Sequence, residues 1–145
     1  MQEKLSQKIM EWYLTPKKFE RWKNGKVYEL VGVRFYKKYV PVLGDLINRK
    51  TNNHPIFNGG DINGGLKNYE ERTRRFERIH LPLCLIITPL LLVAFIRGDY
   101  IGGTIALGIN LAVNYYPLLT QRYNRVRIYN LLDRISKKEA TLKQP

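Results

Sequence analysis

The stretch LPLCLIITPLLLVAFI, residues 81–96, contains no charged side chain and decides the fold of this chain. A second uncharged run, YIGGTIALGINLAVNYYPLL, occupies residues 100–119, after the short polar segment Arg97–Asp99. A helix that crosses a bilayer needs about 20 mostly apolar residues, with a range of roughly 17–25. With Ile79 and His80 added to the first run, both runs meet this length. They predict two transmembrane helices that form a hairpin, with a turn at the polar segment.

A buried helical hairpin in a soluble domain is the alternative interpretation of these two runs. The chain has 145 residues, and the part outside the runs contains too few apolar residues to cover two such helices. Proline and glycine within the runs would weaken helices in water, but both are common in membrane helices. The single cysteine, Cys84, cannot form an internal disulfide and fits a buried thiol in a reducing compartment. We therefore expect a membrane protein.

The charge of the chain is strongly basic, with 25 Lys and Arg against 12 Asp and Glu and a formal net charge of +13. Such an excess indicates an anionic partner, which can be nucleic acid, a membrane surface or a phosphate-bearing substrate. Basic residues lie on both sides of the apolar centre, so the positive-inside rule places both termini in the cytoplasm. Topology thus accounts for the charge, and basic charge alone gives nucleic acid only salt-sensitive, non-specific affinity. We predict a lipid membrane as partner and no nucleic acid.

The whole chain divides into four segments, and the predicted fold class is an all-α membrane protein with a two-span transmembrane helical hairpin and cytoplasmic amphipathic or interfacial helices. Thr15-Pro16 is typical of a helix start within the first segment. The alternative for that segment is a helix packed on its neighbours rather than on lipid. The segments are a basic amphipathic one at 1–48, an Asn- and Gly-rich loop at 49–65, a helix plus the hairpin at 66–128 with spans at about 79–97 and 100–120, and a basic cytoplasmic tail at 129–145.

Thr73, Glu77 and His80 form the first polar cluster, with the spacing i, i+4, i+7 that places all three on one helix face. His80 opens the apolar run, at the boundary between water and lipid. A glutamate one turn before a histidine can accept its ring N–H and raise the basicity of the other nitrogen. A histidine oriented in this way is the usual general base for a hydroxyl or thiol. The alternative is an interfacial histidine without chemistry.

A second polar cluster lies on the second apolar run and continues beyond its end. At about 100° per residue, its members lie on one helix face: Asn110, Asn114, Gln121, Asn124 and Arg125. Polar side chains within a bilayer normally face the interior of the helix bundle and often mark a functional path. The alternative is hydrogen bonding between the two spans. Both can hold, because this face and the His80 face should turn toward each other. Two His and one Cys provide no set of metal ligands, so we predict no metal.

The two clusters also carry a family likeness. TRRFERIH at 73–80, two apolar runs, and Asn114 seven residues before QRYNRVR at 121–127 resemble the glycosyl-4,4'-diaponeurosporenoate acyltransferase family. The resemblance implies a bacterial integral membrane enzyme that esterifies a sugar hydroxyl of a glycosylated carotenoid with a fatty acyl chain, in staphyloxanthin-type pigment assembly. The chain departs from the family pattern at Val126, where that enzyme has proline, and in its charged amphipathic N-terminal segment.

The resemblance implies a set of site residues. In our hypothesis His80 and Glu77 are catalytic, as base and as the group that orients it. Arg122, Arg125 and Arg127, with Arg74 and Arg75, hold the phosphates of an acyl donor or an anionic headgroup, since guanidinium contacts phosphate bidentately. Asn114 and Gln121 donate to the carbonyl oxygen. The positions that match the family pattern are Thr73, Arg75, Glu77, His80, Asn114, Gln121, Arg122, Tyr123, Asn124, Arg125 and Arg127.

The predicted function is therefore that of an acyltransferase in the bacterial cytoplasmic (inner) membrane. It would esterify a hydroxyl of a lipid-like, glycosylated or unglycosylated acceptor with a fatty acyl chain. No cofactor is expected, and the acyl donor, such as acyl-CoA or acyl carrier protein, is a co-substrate. The alternative function is a non-catalytic small membrane subunit or adaptor that binds anionic lipid or scaffolds a larger membrane complex. A chain this small can need further copies of itself or a larger membrane-protein partner to enclose a lipid site.

Overall fold

The structure is a computed structural model that describes residues 2–40 and 62–142. All regular elements in these ranges are helical, and they contain no strand, which confirms the predicted all-α class. In chain order the elements are α1 (Gln2–Leu14), a 3-10 helix (Trp22–Asn24), α2 (Lys26–Leu30), α3 (Val33–Tyr39), α4 (Ile62–Ile96), α5 (Tyr100–Asn110), a π-helix (Leu111–Tyr115) and α6 (Tyr116–Leu142).

A long helical hairpin forms the frame of the molecule. The α4 helix runs in one direction, and α5, the π-helix and α6 return alongside it. The predicted turn at Arg97–Asp99 is present between them, with Gly98 at φ 82. The Asp99 side chain accepts a hydrogen bond from the Gly102 backbone N–H at 2.9 Å and so caps the start of α5. Contacts between the two arms, such as Thr88 Oγ1 to Tyr115 OH at 2.8 Å, fix their register.

The membrane-crossing potential of the hairpin differs from the sequence prediction. Within the described ranges, α4 is the one helix that is long and apolar enough to cross a membrane, rather than the two that we predicted. The second predicted span, about 100–120, is divided among α5, the π-helix and the first residues of α6. Only 11% of the most apolar 18-residue window of α4 is buried. The apolar side chains of this arm therefore face outward rather than into a protein core.

The π-helix at Leu111–Tyr115 adds one residue to its turn, so its backbone does not follow α-helical geometry. The Tyr36 hydroxyl of α3 donates to the Ala112 carbonyl at 2.7 Å and satisfies one of its acceptors. The Tyr36 ring also stacks on Tyr116, with ring centroids 4.9 Å apart. The irregular turn is therefore supported from outside by α3.

The N-terminal helices pack against the middle of α6. Tyr28 and Val33 form a small core with Tyr123 and Val126 of α6. The exposed apolar side chains of α1 do not join this core, and Trp12 is 67% exposed. Among residues 4–14, whose burial the structure describes, Leu14 alone is fully buried.

The predicted helix start at Thr15-Pro16 is wrong. The α1 helix ends at Leu14, and the next helical element begins at Trp22. The Thr15 hydroxyl donates to the Glu11 carbonyl at 2.8 Å, so it closes the preceding helix instead of capping a following one.

Two further boundaries differ from the prediction. Most of the predicted loop at 49–65 lies outside the described residues, but 62–65 already belong to α4. The predicted tail at 129–145 continues as α6 to Leu142, and residues beyond it lie outside the description. Both arms of the hairpin are therefore longer than the apolar runs, and this extra length builds the polar end of the molecule.

Gly25 provides a test of how the N-terminal helices pack on α6. Its φ is +89, and a Cβ there would meet Tyr123 Cδ2 at 3.0 Å. We expect Gly25→Ala to lower the free energy of unfolding through backbone strain of about 1–2 kcal/mol and through the clash with the ring. Gly98→Ala is the matched control, because Gly98 has φ +82 and an added Cβ there would meet nothing within 4 Å. Chemical denaturation followed by circular dichroism measures both, and equal losses would contradict the proposed packing.

Candidate active site

A fully buried arginine lies at the centre of the site. Arg125 and Glu77 are both 0% exposed. The Arg125 guanidinium donates from Nη2 to Glu77 Oε2, from Nε to Thr73 Oγ1 at 3.1 Å, and from Nη1 to the Leu14 carbonyl at 2.6 Å. These partners belong to α4 and to the end of α1. One side chain of α6 thus joins three segments of the chain.

Arg122 extends this arrangement one turn earlier on α6. Its Nε lies 3.2 Å from Glu20 Oε1 and 3.6 Å from Glu77 Oε1. Its Nη2 donates to the Tyr13 carbonyl at 2.7 Å. We call Glu20, Glu77, Arg122 and Arg125 the buried ion-pair cluster. It contains two cations and two carboxylates, so its formal charge is zero.

The C-terminal end of α1 contributes to this balance. The last carbonyls of an α-helix have no partner within the helix and carry partial negative charge. In α1 the carbonyls of Tyr13 and Leu14 accept hydrogen bonds from Arg122 and Arg125. The buried ion-pair cluster therefore also caps the C-terminus of α1 and fixes that helix against the hairpin.

Two tyrosines support the carboxylates of the cluster. The Tyr28 hydroxyl donates to Glu20 Oε1, and burial, followed by that hydrogen bond, raises the pKa of Tyr28. Burial also raises the pKa of Tyr13, and the negative charge of nearby Glu77 adds to the effect. Both phenols therefore stay protonated at neutral pH, where they add no charge to the cluster.

His80 lies at the start of the apolar part of α4 and is half-buried. Its Nδ1 is 3.3 Å from Asn114 Oδ1, in the π-helix of the other arm. The Asn114 Nδ2 donates to Asn110 Oδ1 at 2.8 Å. An Nδ1–H bond to Asn114 leaves the His80 Nε2 as the basic nitrogen. The prediction that the His80 face and the amide face turn toward each other is confirmed.

The predicted hydrogen bond between Glu77 and His80 is not present. Glu77 Oε2 binds Arg125, and Glu77 Oε1 is buried with no hydrogen-bond partner among the described residues, although the Arg122 Nε lies 3.6 Å from it. A buried carboxylate next to a guanidinium gains a charge-assisted bond, which is stronger than a bond to a neutral imidazole. The group that orients His80 is therefore Asn114.

The other arginines predicted to bind phosphate differ in their partners and exposure. Arg74 is held by protein partners, with Nε 2.5 Å from Glu70 Oε1 and Nη1 2.7 Å from Glu11. Its guanidinium, like those of Arg122 and Arg125, is thus occupied by carboxylates. Arg75 and Arg127 have exposed side chains.

The remaining residues of QRYNRVR connect the helices. The Tyr123 hydroxyl donates to Glu29 Oε1 at 2.9 Å. Asn124 accepts from Lys37 Nζ at 2.9 Å and donates to the Tyr69 hydroxyl at 3.3 Å. Gln121 is half-buried on the same helix.

Two important residues, Glu20 and Asn110, were not among the predicted site residues. Glu20 is the only acidic residue between Glu11 and Glu29 in a lysine-rich stretch, and that isolation is the sequence signal for a buried partner. Asn110 belonged to the amide face, and its Nδ2 is buried with no hydrogen-bond partner in the part of the chain that the structure describes. Within residues 2–40 and 62–142, no cluster of three His, Cys, Asp or Glu side chains could hold a metal ion.

The comparison with protein families covers nearly the whole described structure. A family model, glycosyl-4,4'-diaponeurosporenoate acyltransferase, matches residues 10–134. The chain belongs to this family. The predicted family is therefore confirmed, and with it an acyltransferase of carotenoid biosynthesis. The matched range includes the buried ion-pair cluster, His80 and the two asparagines. No curated protein and no solved structure matched the chain.

Removal of Arg125 tests the structural role of the cluster. We expect Arg125→Met to lower the free energy of unfolding by about 3–5 kcal/mol, because it leaves the Glu77 carboxylate buried and uncompensated. The double variant Arg125→Met/Glu77→Met should recover much of this loss, since no buried charge remains at the pair. Arg75→Met, at an exposed position, is the control and should change stability by less than about 0.5 kcal/mol. Equilibrium unfolding of the four proteins decides the point, and a double variant no more stable than Arg125→Met would refute this role.

Proposed function

We propose that this protein is a membrane acyltransferase in which His80 removes the proton from an acceptor hydroxyl. The acceptor is a lipid-like molecule, and the transferred group is a fatty acyl chain. The single observation that carries the proposal is the contact of His80 Nδ1 with Asn114 Oδ1 at the start of the apolar arm. This contact supports a base that is held in one orientation. His80 lies where the polar part of α4 meets its apolar part, so a lipid-like acceptor and a water-soluble donor could both reach it.

A location in the membrane is supported by the outward-facing apolar surface of the hairpin. In water such a surface would be costly, whereas lipid covers it without a protein core. We propose that both arms cross the bilayer, with the second arm continuous through the π-helix. The most exposed of these side chains are Leu85 at 66%, Ile86 at 61%, Leu90 at 63%, Ile96 at 84%, Ile101 at 79% and Ile105 at 61%.

The orientation of the hairpin follows from its charges. The polar ends of α4 and α6 are basic, and the turn contains Arg97 as its one basic residue. Both termini are then cytoplasmic, in the inner membrane of a bacterium. The N-terminal helix α1 would lie at the same surface, because Leu5, Ile9 and Trp12 are exposed between lysines.

In the proposed reaction, His80 first accepts a proton and then returns it. Its Nε2 takes the hydroxyl proton while the acceptor oxygen forms a bond to the acyl carbonyl carbon of a thioester donor. The tetrahedral oxyanion then collapses, the carbon–sulfur bond breaks, and the imidazolium returns the proton to the departing thiolate. An ester and a free thiol result.

The amide face opposite His80 can supply a donor that stabilises the oxyanion. Asn114 uses its Nδ2 on Asn110, whereas the Asn110 Nδ2 has no acceptor in the described structure. We therefore assign the donor role to Asn110. Gln121 follows Asn110 by 11 residues on the same arm, about 16 Å along the helix, which is too far for both amides to reach one oxyanion. A donor of this kind contributes roughly 10²–10³ in kcat.

Replacement of His80 tests the proposed base. His80→Ala should lower kcat for acyl transfer by about 10²–10⁴ with little change in KM, because it removes general-base catalysis. Asn114→Leu should also lower kcat, because His80 loses the hydrogen bond from its Nδ1 to Asn114 that orients the ring. Asn68→Ala changes an exposed residue on α4 and serves as the control.

Transfer of a radiolabelled acyl group by purified, folded protein measures these rates. Unchanged turnover in His80→Ala would show that His80 is not the general base. Transfer activity that copurifies with a second protein and is insensitive to His80 would favour the non-catalytic adaptor instead.

Cysteine labelling tests the proposed topology. In a Cys84→Ser background, Arg97→Cys should react with a membrane-impermeant maleimide added outside intact spheroplasts, because the turn faces out. Ser136→Cys, near the end of α6, should react only after the membrane is permeabilised. Gel-shift detection of the label reports both positions, and reaction of the two cysteines from the same side would rule out a two-span hairpin.

A further inference from the structure

A pocket of about 320 Å³ lies between the first turns of α4, the middle of α6 and the end of the 3-10 helix. Arg127 and Arg134 line it from α6, with Asn24 and Tyr69 opposite them. Its floor includes the buried, apolar Leu66. No carboxylate is among the lining residues that the structure describes.

The two arginines of this pocket are not neutralised by the described residues. Both are exposed, and no ion pair joins either guanidinium to a carboxylate in residues 2–40 and 62–142. Arg127 lies over the face of Tyr123, 5.6 Å from the ring centroid. The neighbouring carboxylate, Asp133, is bound to Arg21. The pocket therefore presents two cations that no carboxylate of the described residues neutralises.

The spacing of these cations suits a phosphorylated ligand. Arg127 and Arg134 are seven residues apart, which puts them on one face of α6 about 10 Å apart along its axis. Guanidinium groups bind phosphate through paired N–H donors. Asn124 and Tyr69 also line the pocket, where the Asn124 Nδ2 donates to the Tyr69 hydroxyl at 3.3 Å. By contrast, the arginines of the buried ion-pair cluster already direct their donors to carboxylates and carbonyls.

We propose that this pocket binds the phosphates of a coenzyme A-type acyl donor, an inference that rests on the proposed acyl-transfer function. Leu66 lies 14 residues before His80 on α4, a separation of about 21 Å along the helix. A thioester donor carries its acyl group at the far end of a long pantetheine arm, so its phosphates bind at a distance from the base. A lipid headgroup has no such arm between its phosphate and its ester, and it would bind nearer to the apolar surface.

Binding of coenzyme A to the full-length protein tests the proposal. Arg127→Gln and Arg134→Gln should each raise the dissociation constant for coenzyme A by about tenfold or more, because each removes charge-assisted hydrogen bonds. Lys137→Gln/Lys138→Gln removes two positive charges, as Arg127→Gln/Arg134→Gln does, but from exposed positions further along α6, and it should change the dissociation constant less than about threefold. Pantetheine, which lacks the phosphates, should bind the wild type and the Arg127→Gln/Arg134→Gln variant equally weakly. Isothermal titration calorimetry measures all of these constants.

Three outcomes would overturn the phosphate site. The first is an unchanged affinity for coenzyme A in Arg127→Gln/Arg134→Gln. The second is an equal loss of affinity in the lysine control. The third is that the arginine variants lose affinity only for vesicles of anionic lipid and not for coenzyme A. The last outcome would assign the pocket to a lipid headgroup.

The kinetics separate this proposal from that of the base. The arginine variants should raise KM for acyl-coenzyme A, whereas His80→Ala should lower kcat and leave coenzyme A binding intact. Unchanged turnover in His80→Ala with arginine-dependent binding would remove the catalytic proposal alone. An unchanged KM in the arginine variants with an inactive His80→Ala would remove the phosphate site alone.

Discussion

The buried ion pair between Arg125 and Glu77 is the interaction on which the rest of the structure depends. Neither side chain is exposed, and the transfer of such charges out of water costs several kcal/mol for each ion. The cost is offset only because Arg125 distributes its donors over Glu77, Thr73 and the Leu14 carbonyl. One guanidinium therefore has to hold α6, α4 and the end of α1 in a single arrangement, since any displacement would leave a buried charge without a partner.

The same constraint sets the position of the proposed base. His80 follows Glu77 by one turn on α4, and the arms run antiparallel, so the Glu77–Arg125 contact fixes the residues that can face His80. The π-helix then adds one residue between Arg125 and Asn110, which turns Asn114 toward the histidine. The buried ion-pair cluster thus determines the geometry of the proposed site although it takes no part in the reaction. A substitution at Arg125 would therefore be expected to lower the rate of acyl transfer as well as the stability of the fold.

Local patterns predicted much of this from the sequence, whereas the partners of individual charges depended on packing. The hairpin and the facing of His80 and Asn114 follow from apolar run length and helical periodicity. The partner of Glu77 could not be obtained in this way, because Arg125 is 48 residues away and a histidine three residues away offered a local alternative. The π-helix was missed because a step of 100° per residue assumes α-helical geometry throughout.

The arginines of QRYNRVR show why a motif does not define one role. Arg122 and Arg125 face α4, where Glu77 and the nearby Glu20 neutralise them, whereas Arg127 points to a pocket without described carboxylates. The facing helix, rather than the residue type, decides whether a guanidinium stabilises the fold or is available to a ligand. The arginines near the apolar arm are thus neutralised by carboxylates, whereas Arg127 and Arg134, farther from that arm, are not paired with a described carboxylate. In the proposed reaction, an anionic donor would bind at the aqueous end of the molecule while its uncharged acyl end approaches the lipid.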